Sequence, residues 1–206
     1  MSAQKKKAKP ARGRQVDKWS LKSLHTIISP EDLEIGTIRG SPIGETFSDE
    51  PEKLINRILE VPLSDLTQKF SLVYIKLYFR ITEVLGNSCK TKFDGHDYSS
   101  DFVRSLVKRR RTRIDAILTV TTNDNVTLRV TSTAFTVRRC KSSHKYEIRS
   151  IMTDMISKQS KESNFGEFVS KMLRGDLNND LLQACQKVYP LTQVEVQKSK
   201  VLTKWT

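Results

Sequence analysis

The sequence IDAILTVTTNDNVTLRVTSTA, residues 114–134, alternates apolar and polar side chains on both sides of a short polar run. A period of two is typical of a strand that buries one face. Asparagine and aspartate tolerate the left-handed backbone of tight turns, so Asn123-Asp124-Asn125 marks the reversal of the chain. The stretch therefore predicts a β-hairpin, with inward residues Ile114, Ala116, Leu118 and Val120 before the turn and Val126, Leu128, Val130 and Ala134 after it.

A second alternating stretch spans residues 70–85, and its odd positions are apolar from Val73 to Ile81. The even positions interleave aromatic rings with cations, namely Tyr74, Lys76, Tyr78 and Arg80. Such a face is either the ordinary outer face of a strand or a platform for bases and phosphates. A further strand can follow a turn at Gly86-Asn87, and residues 93–97 resemble a turn before a helix.

The last third favours helices. Apolar residues recur at helical spacing from Ile148 to Ile156 and from Phe165 to Leu173, with Gly175 where a helix C-cap would lie. Asn178 or Asn179 can cap a third helix, which Pro190 ends. Val194 and Val196 indicate a final strand. By contrast, residues 31–60 hold eight acidic and three basic side chains, and most of this segment is expected to be loop.

Composition points to a polyanionic partner. The chain has 206 residues, a formal net charge of +13 and an isoelectric point near 9.8. Such a surplus is costly in self-repulsion unless a polyanion neutralises it, and nucleic acid is the commonest one. No apolar run reaches the ~20 residues of a membrane-spanning helix, and no apolar segment typical of a secretory signal follows the N-terminus. Three widely spaced cysteines are typical of a reducing compartment.

Cations cluster in three places. The first cluster follows Ser99-Ser100-Asp101, a strong helix start, and an apolar stripe predicts that one amphipathic helix carries Arg104, Lys108, Arg109, Arg110, Arg111 and Arg113. Arginine suits phosphate because its planar fork donates two parallel hydrogen bonds. A solvated charged face is the alternative for this helix. The second cluster, at the end of the hairpin, comprises Arg138, Arg139 and Lys141.

The third cluster is a basic tail over residues 1–18. Its cations include Lys5, Lys6, Lys7, Lys9, Arg12 and Arg14, and it has almost no apolar anchor. Such a segment is expected to be disordered when free and to order along phosphates. It also resembles a nuclear import signal, whereas an inert solubilising tail is the alternative.

Catalytic and metal motifs are not apparent. The histidines His25, His96 and His144 are far apart, and Cys89 and His96 have no second pair to complete a zinc site. No nucleophile elbow, P-loop or dinucleotide-binding glycine motif occurs. We therefore expect neither enzymatic activity nor a cofactor, a metal or a small-molecule substrate.

Four segments carry a family resemblance. Residues 55–66, INRILEVPLSDL, resemble the signature of the archaeal and eukaryotic small-subunit ribosomal protein family called S-three-A, or e-S-one. The chain departs from it at Asn56, where the family usually has Gly or His, and at Pro62, where it has Ser or Cys. Residues 89–129 and 184–191 are also similar, as is Asp17-Lys18-Trp19. The resemblance spans residues 17–204 and stops before the charged C-terminal extension typical of the family.

The resemblance implies an α+β fold with a mostly antiparallel β-barrel-like core, flanking helices and a helical C-terminal third. We expect residues 1–18 to form the tail and residues 19–206 a single domain. The implied function is that of a structural, rRNA-binding constituent of the small ribosomal subunit, on the platform near the messenger exit side. Its partners would be small-subunit rRNA and neighbouring ribosomal proteins, in the cytoplasm after nuclear or nucleolar passage. A free-standing nucleic-acid-binding regulator and an RNA-processing enzyme are the alternatives.

Overall fold

An eight-stranded mixed sheet dominates the part of the chain that the structure, a computed structural model, describes: residue 19 and residues 22–30 and 40–203. The strands are β1 (Ser23–Ile28), β2 (Pro42–Ser48), β3 (Ile58–Pro62), β4 (Ile75–Leu85), β5 (Ser88–Tyr98), β6 (Arg113–Thr121), β7 (Thr127–Thr136) and β8 (Leu191–Val201). The α-helices are α1 (Leu63–Thr67), α2 (Ser100–Leu106), α3 (Ser142–Glu162), α4 (Phe165–Arg174) and α5 (Asp176–Gln186).

The sheet is branched at its centre. Its main path runs β2-β1-β5-β8-β7-β6, while β4 pairs with β5 and with β3. Only β1 and β5 pair in parallel; the other pairs in the described chain are antiparallel. The expected mostly antiparallel α+β architecture is confirmed.

The expected barrel is not confirmed, because the ladders among the described strands do not close into a ring. Strands β2 and β6 are the two ends of the main path, and each pairs on one side only. Helix α3 packs against β6, and the Arg149 guanidinium donates to the Asp115 carbonyl of that strand at 2.9 Å. An edge that a helix covers has no free groups there for a further strand.

The predicted hairpin is confirmed as β6 and β7. Nine residue pairs are in register, from Arg113–Phe135 to Thr121–Thr127. Asn125 has φ +58° in the turn, a left-handed conformation that asparagine tolerates. The inward residues Ile114, Ala116, Leu128 and Val130 are buried. Strand alternation in β4 also holds, although it begins at Ile75 because residues 70–72 form a 3-10 turn.

The arginine helix predicted over residues 104–113 is wrong. Helix α2 ends at Leu106, Val107 is extended, and Arg110 has φ +63°. Further turns would have stacked like charges at i, i+3 and i+4, with arginine at the positions that should pack on the core. Only Arg104 of that cluster is therefore helical. Residues 108–111 form a loop, and Arg113 begins β6.

Some of the other local predictions are confirmed and others are wrong. The first two helices of the last third are confirmed as α3 and α4, and Gly175 at φ +89° ends α4. Helix α5 starts at Asp176 rather than after an asparagine cap. Residues 93–97 are strand, not turn, and the acidic segment holds the strands β2 and β3. The final strand is confirmed as β8, which follows the three helices.

One core covers one side of the sheet. It joins residues of β3 to β8, such as Leu77, Phe79 and Val130, to apolar residues of α3, α4 and α5. A smaller buried cluster joins Ile27 of β1 and Leu54 to Ile81 of β4 and Cys89 of β5.

A three-residue ladder joins the two halves of the sheet. Here β5 pairs with β8 through Gly95–Lys200, His96–Ser199 and Asp97–Lys198. The Ser199 hydroxyl lies 2.7 Å from His96 Nδ1, and the other ring nitrogen lies 2.9 Å from the Val196 carbonyl. Because a carbonyl only accepts, Nε2 carries the proton and Nδ1 accepts from the serine.

We predict that Gly95→Ala destabilises the fold. A Cβ at this position would lie 2.3 Å from the Ser199 carbonyl oxygen, so the β5–β8 ladder must shift. Overpacking of this kind costs about 1–3 kcal/mol of unfolding free energy, which urea denaturation would measure. Gly44→Ala is the matched control, since its Cβ would meet only the Leu59 side chain, at 3.3 Å. Equal losses in the two variants would contradict the prediction.

We also predict that His96 makes stability depend on pH. Burial lowers the pKa of His96 to about 4, so the folded state binds fewer protons than the unfolded chain between about pH 4 and 6.5. The free energy of unfolding should therefore fall as the pH drops through that window, by about 2 kcal/mol at pH 5 relative to pH 7. Denaturant titration from pH 7 to 5 would measure this.

The control is His96→Gln, which removes the titrating group but keeps an N–H donor. Its stability should vary less with pH than that of the parent chain. Glu195, whose pKa burial raises, titrates in both proteins and cancels in the comparison. Parallel pH profiles for the two proteins would refute the role of His96.

Candidate nucleic-acid interface

Two of the predicted basic clusters meet at one end of the β6–β7 hairpin. Residues 108–111 lead into β6, and residues 138–141 lead out of β7. Threonines hold the two loops together: the Thr112 N–H donates to the Thr136 hydroxyl at 2.8 Å, and the Thr136 N–H donates to the Thr112 carbonyl at 3.0 Å. The Cys140 N–H donates to the Thr112 hydroxyl at 3.1 Å. The loops are therefore attached to the sheet by hydrogen bonds rather than by their charged side chains.

The loops enclose an open concavity of about 710 Å³, lined by Arg110, Arg111, Val137, Arg138 and Arg139. Four guanidinium groups around one hollow create a positive electrostatic potential, and the low-dielectric walls of a hollow concentrate its field. Val137, 44 % exposed, is the apolar part of the lining. The positive φ of Arg110 turns the backbone sharply within the first loop. The Arg111 N–H donates to the Lys108 carbonyl at 3.2 Å, and this hydrogen bond closes the turn.

These arginines have no acidic partner among the described residues. Within the described ranges, no ion pair forms at Lys108, Arg109, Arg138, Lys141 or any arginine of the concavity, and nearly all are exposed. Several cations elsewhere are neutralised: Lys76 lies 2.7 Å from Glu60, Arg80 2.9 Å from Asp94 and Lys198 2.7 Å from Asp97. Clustered like charges without counter-charges favour an anionic ligand.

Not every predicted site residue belongs to this cluster. Arg113 is held on the sheet by Asp115 at 2.7 Å and by Gln197 at 3.0 Å, which uses two of its donor groups. Arg104 lies on α2, exposed and 3.9 Å from Asp101. The tail cations Lys5, Lys6, Lys7, Lys9, Arg12 and Arg14 lie outside the described residues.

The platform considered for β4 is largely engaged within the protein. The ring of Tyr74 stacks on Phe102 with centroids 3.7 Å apart, and Lys76 and Arg80 are both ion-paired. Tyr78 is half-buried and makes no ring contact with another described residue. The even positions from Tyr74 to Arg80 therefore differ from one another, which alternation alone does not reveal.

The described residues offer little support for a metal site or a catalytic nucleophile. They contain no group of three His, Cys, Asp or Glu residues able to hold a metal ion. Cys89, Cys140 and Cys185 are buried free thiols, and burial raises the pKa of Cys185 to about 11. A thiol with so high a pKa is a poor nucleophile at neutral pH. No helix in this part of the chain is long and apolar enough to cross a membrane.

Sequence reasoning named the four arginines of the concavity but missed the residues that hold its loops together and its apolar lining residue. Thr112, Thr136 and Val137 carry no motif, and the two threonines are 24 residues apart. The only available signal was the register of the hairpin, which places residues 112 and 136 next to each other just beyond the last pair, Arg113–Phe135.

Comparison with known proteins gives one consistent result. The chain is 43% identical over 186 residues to small ribosomal subunit protein eS1 of Sulfurisphaera tokodaii, covering 90% of this chain and 94% of the relative. It is 39% identical to the protein of the same name from Methanospirillum hungatei, covering 94% of this chain and 96% of the relative. The model of the Ribosomal S3Ae family matches residues 10–204. The chain therefore belongs to the Ribosomal S3Ae family.

Proposed function

We propose that this chain is a structural constituent of the small ribosomal subunit that binds and stabilises rRNA. Its family membership and the name of its relatives, small ribosomal subunit protein eS1, support a place in the small subunit. The geometric observation behind the proposal is the concavity of unpaired arginines between the two basic loops. A net charge of +13 fits a surface that folded RNA neutralises.

The work of such a protein is electrostatic and mechanical. Each guanidinium can bind a phosphate through two parallel hydrogen bonds. Because the threonine bonds fix the loops on the hairpin, little ordering is needed when RNA docks, and less free energy is lost on binding. The proposal involves neither a catalytic step nor a cofactor, which agrees with a family of ribosomal proteins rather than enzymes.

The proposed rRNA contacts are the concavity arginines with Lys108, Arg109 and Lys141 beside them. The tail residues of positions 1–18, together with Arg104 and Arg113, complete the proposed set. We further propose that residues 19–206 act as one domain on the subunit platform near the messenger exit side, against neighbouring ribosomal proteins. The chain would act in cytoplasmic ribosomes, and the tail would serve nuclear or nucleolar passage where the cell requires it.

A free-standing nucleic-acid-binding regulator is the second candidate that basic charge alone would allow. Such a protein should read base edges and prefer particular sequences. The arginines of the concavity instead form an open, exposed cluster suited to phosphates. This favours backbone neutralisation within a large folded RNA.

We predict that the native protein co-sediments with the small ribosomal subunit. In a sucrose gradient of a lysate from the source cells, the chain should peak with the free small subunit and with whole ribosomes. Dissociation of ribosomes at low magnesium should move it to the small-subunit peak. A peak confined to the top of the gradient would refute the proposal.

We also predict that the triple variant Arg110→Gln, Arg111→Gln, Arg139→Gln binds rRNA fragments more weakly and with a shallower salt dependence. Each lost phosphate contact should reduce the slope of log K against log salt by about 0.9, the value known for a DNA duplex. Filter binding from 50 to 300 mM salt would measure the slope.

The matched control removes the same charge elsewhere: Lys53→Gln, Lys76→Gln, Lys198→Gln. These three lysines are paired with carboxylates in the described structure, so their loss should change the slope less. Equal slopes for the two triple variants would mean that net charge, not the concavity, determines binding.

A further inference from the structure

We propose that the outer face of the sheet, around Tyr78 on β4, Lys200 on β8 and Arg129 on β7, binds a single-stranded segment of RNA. The proposal rests on the proposed function for the class of partner, but it concerns a different surface from the concavity. The inference specifies which form of RNA, single-stranded rather than duplex, this second surface binds.

The register of the sheet places these residues in one row. Arg129 pairs with Lys200, Lys200 with Gly95, and Gly95 with Tyr78. Paired residues of neighbouring strands share a face, and strands lie about 4.8 Å apart. The three side chains therefore project from one side of the sheet, with Lys200 roughly 10 Å and Arg129 roughly 14 Å from Tyr78.

This row lies on the side away from the main core. Leu77 and Phe79, which flank Tyr78 along β4, are buried in the cluster that also contains the apolar residues of α3, α4 and α5. Side chains alternate along a strand, so Tyr78 points to the opposite side. Arg129 and Lys200 are exposed.

The charges of the row call for an anion. Arg129 and Lys200 stand directly opposite each other, and like charges in that position destabilise a sheet. Neither forms an ion pair with a described residue, although Lys198, two positions before Lys200 on the same face, is paired with Asp97 at 2.7 Å. An anionic backbone lying across the strands would relieve this repulsion.

The aromatic ring indicates single-stranded rather than duplex RNA. Tyr78 is half-buried, and its ring makes no contact with another ring of the described residues. A ring without a ring partner can stack on a base, and such stacking tolerates any base. Bases of a duplex are already stacked on one another and cannot reach it. The row thus combines one stacking residue with two unneutralised cations across the strands.

The test measures the affinity of the full chain for a fluorescently labelled single-stranded oligouridylate and for a hairpin duplex of similar length. Tyr78→Leu keeps an apolar side chain but removes the ring, and it should weaken single-strand binding roughly tenfold while leaving duplex binding unchanged. Tyr78→Phe keeps the ring and should bind like the parent chain. Equal single-strand affinity for Tyr78→Leu and the parent, or equal losses for both RNA forms, would overturn the proposal.

A charge comparison on the same face completes the test. Lys200→Gln should reduce the salt slope for the single strand by about 0.7, whereas Lys198→Gln, whose ammonium group is paired, should change it less. Equal changes would overturn the proposal.

Subunit incorporation separates this inference from the proposed function. Absence of the parent chain from small subunits would refute the proposed function. Normal incorporation with unaltered single-strand binding by Tyr78→Leu would refute only the role of the sheet face.

Discussion

The short ladder between β5 and β8 is the constraint on which the rest of the described structure depends. Strands β1 to β5 form one half of the sheet and strands β6 to β8 the other, and three residue pairs connect them. Gly95 permits the close approach, because any Cβ there would collide with the Ser199 carbonyl. The neutral His96 ring then spans the joint by bonding both Ser199 and Val196. A buried charge at this point would be costly, which is why protonation of His96 opposes folding.

The two proposed RNA surfaces share the hairpin but use it differently. At its open end, the threonine bonds bring the two basic loops together, so that the arginines surround a hollow. Along its outer face, the register sets Arg129 opposite Lys200 and in line with Tyr78. The first surface offers arginines to phosphates, whereas the second also offers an aromatic ring to an unpaired base. The apolar faces of α3, α4 and α5 cover the side of the sheet opposite to this outer face.

Local pattern was sufficient where neighbours in sequence are also neighbours in the fold. Strand alternation identified the β6–β7 hairpin and the inward residues of β4, and helical spacing identified α3 and α4. It failed for the arginine run, where a good helix start suggested a helix through Arg113. The like charges and the lack of apolar residues from Lys108 to Arg113 end that helix, and the chain turns at Arg110 into β6 instead. It also missed β2 and β3, because both strands are short and contain residues typical of loops, Pro42 and Gly44 in β2 and Pro62 in β3.

By itself, the sequence determined the α+β class, the surplus of positive charge, the main hairpin and the family resemblance, because each is a property of composition or of residues close together along the chain. Only the tertiary structure decided which cations are free. Arg80 and Arg113 looked equivalent to Arg110 in the sequence, yet Asp94, Asp115 and Gln197 engage the first two. It also decided that the sheet stays open and that residues 24 positions apart, Thr112 and Thr136, close the base of the concavity. Such contacts depend on strand register and packing between distant segments, which periodicity along one chain does not encode.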